Sequence, residues 1–258
     1  MSYIDLHEVL RDWPYEPDKI SVRKILGADE SVRIQMRVEL GVLQMAAEGR
    51  PDGTRPHGCD SLLAYHHKRL AKHQERNGTP LGFVLSPAEC EALRQEASQF
   101  YRRYIAYFVL EEFDGVVDDT THSLGLLDLC RDYAMEPDDR SAMEEFRAYV
   151  VMMQTRGLAY HAMEEEEPAS ALAHVNRGIM DIRSLFAGTE SEARVEEAEE
   201  MRILRSLAAE LGGKLPRNSL VRTRKALRSA VDQERFEDAA RLRDQLKRLF
   251  PRSDQERV

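Results

Sequence analysis

The sequence predicts a mainly α protein with a minor β part (α+β): an N-terminal β-hairpin, a central helical scaffold and a C-terminal antiparallel helical hairpin. Three observations lead there. Residues 32–40 alternate strictly, with Val32, Ile34, Met36, Val38 and Leu40 on one face and Arg33, Gln35, Arg37 and Glu39 on the other. That is the period of a half-buried strand. Ser86, Pro87 and Glu89 form a helix start, with serine to cap, proline at the first helical position and glutamate able to bond back. Near the end, Phe236, Ala239, Ala240, Arg243, Leu246 and Phe250 recur every three or four residues, as on one helix face.

Taken in order, residues 1–50 form an N-terminal arm and the β-hairpin. Trp13 and Tyr15, beside Pro14 and Pro17, belong to an extended stretch that these rings pin to the body. Residues 20–26 are β-compatible, and 27–31 supply a turn before the alternating strand. A two-stranded hairpin is marginal alone, so its apolar face must lie on helices or on another copy.

Residues 51–188 read as a helical domain. The run 50–58 holds two prolines, two glycines and the charged Arg50, Asp52, Arg55 and His57. It reads either as a surface recognition loop or as a rigid connector. Helical stretches follow over about 60–76, from Ser86 onward, and over about 116–134, 141–163 and 168–186. The helix opened by Ser86 carries Leu93, Ala97, Phe100, Tyr104, Tyr107 and Phe108 as one broad stripe. Residues 157–160 and 169–173 faintly resemble one tetratricopeptide helix pair, without a second copy at a fixed period. Residues 189–216 form a charged helix, over about 191–211, and a hinge at Gly212, Gly213 and Pro216. The terminal hairpin occupies 217–250, and 251–258 form a tail.

Within 217–250, Leu220, Leu227, Ala230 and Val231 line one helix, and the Phe236 stripe lines the next. Gln233, Glu234 and Arg235 make a polar break of the length that joins antiparallel helices. Leu227, Ala230, Val231, Glu234, Phe236, Glu237, Ala239, Ala240, Leu242, Arg243, Asp244 and Leu246 together resemble the UVR motif, named for the excision-repair proteins UvrB and UvrC. The motif is also found in Clp-type unfoldases and their adaptors. The resemblance covers the last forty or so residues and implies a module that pairs with another copy of itself or with a partner's hairpin.

Helix pairs this short are marginal alone, so their apolar face needs cover, from another molecule or from this chain. The expected partner-binding residues are Leu227, Val231, Phe236, Ala239, Ala240, Leu242, Leu246 and Leu249, with Arg243 and Asp244 as polar contacts at the border.

The chain of 258 residues is 42% hydrophobic and 32% charged, with a net charge of −9. It has no apolar run long enough for a membrane span and no signal-peptide order at its start. Three widely spaced cysteines argue against a disulfide framework, and the expected compartment is the cytoplasm. Residues 217–250 hold ten Lys/Arg against five Asp/Glu, a net +5 that leaves −14 elsewhere. Such a basic end can attract nucleic acid or pair with an acidic surface. Favourable i,i+4 pairs are Glu237 with Arg241 and Asp244 with Arg248.

Catalytic signals are weak. His57, Cys59, Asp60, His66 and His67 cluster, but adjacent histidines point about 100° apart on a helix and no CxxC or HExxH spacing occurs. Cys90 and Cys130 fall in helices, where a small buried hydrophobe is the commoner role. Neither a GxSxG elbow nor a GxxxxGK[ST] loop is present. The doublets Glu111–Glu112, Asp118–Asp119 and Glu199–Glu200, and the run 164–167, read as solvated helix ends or faces. Phe100, Tyr101, Tyr104, Tyr107 and Phe108, with Arg102 and Arg103, read as core with nucleic-acid stacking as the alternative.

The sequence therefore predicts a non-enzymatic adaptor that self-associates or docks a partner, without metal or cofactor. The alternative is a nucleic-acid-contacting accessory factor of DNA repair. An enzyme sited near 50–67 is the third reading.

Overall fold

The computed structural model describes residues 5–188, 192–214, 219–233 and 235–249. Contacts divide the chain into two compact units, residues 1–147 and 148–258.

The first unit begins with a short helix, α1 (His7–Leu10), followed by three strands: β1 (Val22–Leu26), β2 (Val32–Val38) and β3 (Gly41–Ala46). They form an antiparallel sheet in the order β1-β2-β3. Val22 pairs with Met36, and Ile34 with Met45. The expected hairpin is therefore a three-stranded sheet. Leu40 is not a strand residue: with Glu39 it forms the two-residue turn into β3, and it is 90% exposed.

The sheet's apolar face places Ile34 and Met45 against Ala106, Tyr107 and Val116. The N-terminal arm serves its polar face. Trp13 lies 4.1 Å from the Arg23 guanidinium and donates to Ser21 Oγ, while Arg37 Nε donates to the Trp13 carbonyl at 2.9 Å. A ladder crosses the strands there: Arg23 donates to Gln35 Oε1 and Gln35 Nε2 donates to Gln44 Oε1, at 2.8 and 2.9 Å. Gln35, placed on the solvent face by alternation, is buried with its amide hydrogen-bonded, which offsets the desolvation cost.

Four helices follow: α2 (Leu62–Asn77), α3 (Pro87–Val109), α4 (Phe113–Tyr133) and the short α5 (Pro137–Ser141). Ser61 caps α2 by accepting from the Ala64 amide, and Gly78 ends it at φ 72°, a conformation that costs glycine little. The expected capping box opens α3. Ser86 Oγ accepts from the Glu89 amide, and Glu89 Oε2 accepts from the Ser86 amide at 2.8 Å. α3 and α4 run antiparallel. Leu85 N donates to the Tyr133 carbonyl and Met135 N to that of Leu85, at 2.7 and 2.9 Å, tying the start of one to the end of the other.

Leu85, Cys90, Leu93, Leu126, Leu129 and Cys130 fill the core between them. Burial pushes the Cys130 thiol up to about 12 and raises that of Cys90, so neither is a thiolate near neutrality.

One carboxylate departs from the solvated reading. Asp119 is buried and accepts two hydrogen bonds from the equally buried Arg103, at 2.8 and 2.6 Å. Arg103 also donates to the carbonyls of Ala46 and Gly49, binding α3 to the end of β3. The α3 stripe explains this. Arg103 follows Phe100 by three residues and precedes Tyr107 by four, so it shares their inward face. Tyr101, in contrast, is largely exposed.

Glu96, fully buried, accepts from the amides of Leu62 and Leu63 at 2.8 and 3.2 Å. Its oxygens also lie 3.0 Å from His122 Nε2 and 3.1 Å from Arg50 Nε. Against the effect of burial, His122 and the Leu62 and Leu63 amides hold the carboxyl below its ordinary value. The 50–58 run is thus tied to α3 through Arg50 and Asp52, the latter accepting from Gln99 Nε2 at 3.2 Å. Its Asp52 also accepts from the Thr54 amide, and Ala46 N donates to the Pro51 carbonyl.

The second unit holds α6 (Arg147–Glu164, whose first residue closes the first unit), α7 (Pro168–Phe186), α8 (Glu199–Lys214), α9 (Ser219–Asp232) and α10 (Phe236–Leu249). The expected helix over 141–163 begins later, at Arg147, after a 3-10 turn at Glu144–Phe146. Residues 165–167 are the turn into α7. A Cβ on Gly178 of α7 would collide with Thr155 of α6, so the α6–α7 pair depends on glycine there. Leu172, Val175, Ile179 and Ile182 of α7 are buried, as are Met201, Leu204, Leu207 and Leu211 of α8, and these two helices pack together. The hinge expected at Gly212 and Gly213 is helical; Leu215 and Pro216 lie outside the described residues. Among the described residues, no helix is long and apolar enough to cross a membrane.

Candidate docking surface

α9 and α10 pack side by side as the spacing predicts. The turn closes with Gln233 N donating to the Ser229 carbonyl at 3.1 Å and Arg235 N to the Ala230 carbonyl at 2.8 Å. The Arg235 carbonyl then accepts the Ala239 amide and starts α10. Ala230 and Ala239, one on each helix, are both buried, because residues without long side chains let two backbones approach.

The expected partner-binding residues separate into groups. Ala239 is used inside the hairpin. Leu227, Ala240, Leu242 and Leu246 are half-buried. Phe236 is 69% exposed and Val231 51% exposed, at the end where the chain turns. Phe236 was expected to meet a partner, and among the described residues nothing covers it. As the first residue of α10, it stands where α9 has already ended. The side chain of Leu249 lies outside those described, as do Glu234 and Phe250.

Charged groups surround the turn. Asp238 takes Arg235 at 3.0 Å and Arg241 at 2.9 Å, so Arg241 pairs three residues back rather than with Glu237. Arg243 and Asp244, expected as border contacts, bond each other at 3.0 Å. These exposed pairs hold little energy and can be exchanged for contacts to a partner.

The polar side of α10 lies along α7, and a groove of about 880 Å³ runs between them. Ala169, Ala173 and Met180 form its apolar part, with Arg177, Arg241 and Lys247 beside them. Burial, helped by His161, holds the His174 imidazole below its ordinary value, which favours the neutral ring. The sequence reading missed this groove. Its only signal was the i, i+4, i+8, i+11 spacing of Ala169, Ala173, Arg177 and Met180, which places them on one face of α7.

The residues weighed for chemistry disperse. His66 is buried, with its imidazole lowered by that burial, while His57 stacks on Tyr65 with ring centres 4.0 Å apart. Among the described residues, no three His, Cys, Asp or Glu side chains come together as a cation site.

Comparison with known families gives one match: residues 217–249 fit the UvrB/uvrC motif, UVR. It coincides with α9, the turn and α10. No curated protein and no solved structure is matched.

Proposed function

We propose that the protein is a non-catalytic, cytoplasmic interaction protein that docks a UVR-type hairpin, from a second copy or from a larger partner, through the turn end of α9–α10. The observation that carries this reading is the exposure of Phe236 and Val231, both within the matched motif. A large ring left 69% in water is a poor use of an aromatic unless another surface covers it. Half-buried Leu227, Leu242 and Leu246 would extend the same contact, and Arg235, Arg241 and Asp238 would orient it at the rim. The measurement that tests this is association of the full-length protein and of a Phe236→Glu variant. The reading expects association that the carboxylate abolishes; equal association of both proteins would overturn it.

A further inference from the structure

We propose that the α7–α10 groove is a second docking site, separate from the Phe236 end, and that it takes an acidic amphipathic helix of a partner protein. The groove offers both a shape and a charge that such a helix fits. Two helices side by side leave a trough that a third helix fills. The α7 residues lining it run from Ala169 to Met180, about three turns or roughly 17 Å of helix.

The floor is apolar and adaptable. Ala169 and Ala173 are small enough for a close approach, and Met180, 47% exposed, can repack around an apolar anchor. The walls carry three cations, Arg177, Arg241 and Lys247, against one carboxylate, Asp244, which Arg243 already engages. Arg177 is bonded to the half-exposed Asp181 of its own helix, and Arg241 to Asp238. Surface pairs of this kind are exchanged at low cost for incoming carboxylates.

A helix with leucines facing the floor and glutamates at its flanks satisfies both features. Nucleic acid satisfies fewer. Among the lining residues His174 offers a half-buried imidazole and no Phe, Tyr or Trp ring is present, while Asp244 adds a negative charge to the wall.

The test uses full-length protein and two fluorescein-labelled synthetic helices of about 14 residues. They share one leucine stripe; one carries glutamate flanks and its twin carries lysine. Anisotropy is read at about 50 mM and about 500 mM salt. The proposal expects the acidic helix to bind, its twin not to, and affinity to fall with salt. Arg177→Glu with Lys247→Glu should weaken the acidic helix at least about tenfold and confer binding of the lysine twin. Both positions are exposed, so the fold should tolerate the change. Phe236→Glu should leave peptide binding intact, which separates this site from the docking end proposed above.

Equal binding of both helices, binding untouched by the double reversal, or failure of the acidic helix to bind would overturn the proposal. So would a single-stranded oligonucleotide that displaces the acidic helix. Concentration-dependent dimerisation lost on the same double reversal, without peptide binding, would assign the groove to a second copy instead.

Discussion

Arg103 of α3 and Asp119 of α4 face each other through two parallel hydrogen bonds of 2.8 and 2.6 Å, with both side chains sealed from solvent. Removing one partner leaves the other buried without its counter-charge. Asp119→Ala should therefore cost about 3–5 kcal/mol, read by chemical denaturation. The paired replacement Arg103→Met with Asp119→Leu should cost much less, since no charge is then stranded. An Asp119→Ala loss below about 1 kcal/mol would contradict this role.

Glu96 predicts a pH dependence. Its folded carboxyl is held below the ordinary value of 4.5. It therefore contributes stability fully above the unfolded value, and that contribution is lost as pH falls through the folded one. Glu96→Gln should be less stable than wild type at neutral pH, and the gap should close as acid is added below about pH 4.5. Asp119 acts in the opposite sense, because burial raises its carboxyl, but it is common to both proteins and cancels. A gap unchanged down to the acid transition would contradict the assignment. Unfolding midpoints measured across the acid range read it directly.

At Gly178, alanine would place a methyl group against Thr155. Gly178→Ala should cost about 1–3 kcal/mol by overpacking, and Thr155→Ala in the same chain should recover part of it. Thermal unfolding of the three proteins measures this, and stabilisation by Gly178→Ala alone would contradict it.

Phe236 separates folding from docking. Because the ring is mostly in water, Phe236→Ala should change monomer stability by no more than about 0.5 kcal/mol. A loss of several kcal/mol would mean that the ring is buried within the chain.

Local signals specified the helices and their caps, since a serine, a proline and a glutamate at fixed spacing act within one turn. Strand β2 was legible from its alternation. β3 was not, because Val42 and Leu43 stand adjacent and break the period, and Leu40 continued the pattern into what is a turn. The Arg103–Asp119 pair was half legible: the aromatic register of α3 places Arg103 inward, but nothing local tells which of Asp118 and Asp119 meets it. The hairpin was legible as a motif. Periodicity placed Phe236 on the apolar face but did not tell how far the opposing helix covers it, because spacing gives a face and not a depth of burial. The groove on α7 depends on two helices distant in sequence, which no local pattern reports.

The docking account is tested most directly by sedimentation of purified full-length protein over a range of concentrations, alone and with the partner it retains from native lysate, beside the Phe236→Glu variant. The account predicts a larger species, self-associated or partner-bound, that forms with wild type and is missing with the variant while both remain equally folded. Identical sedimentation of the two proteins, alone and in the partner's presence, would contradict it.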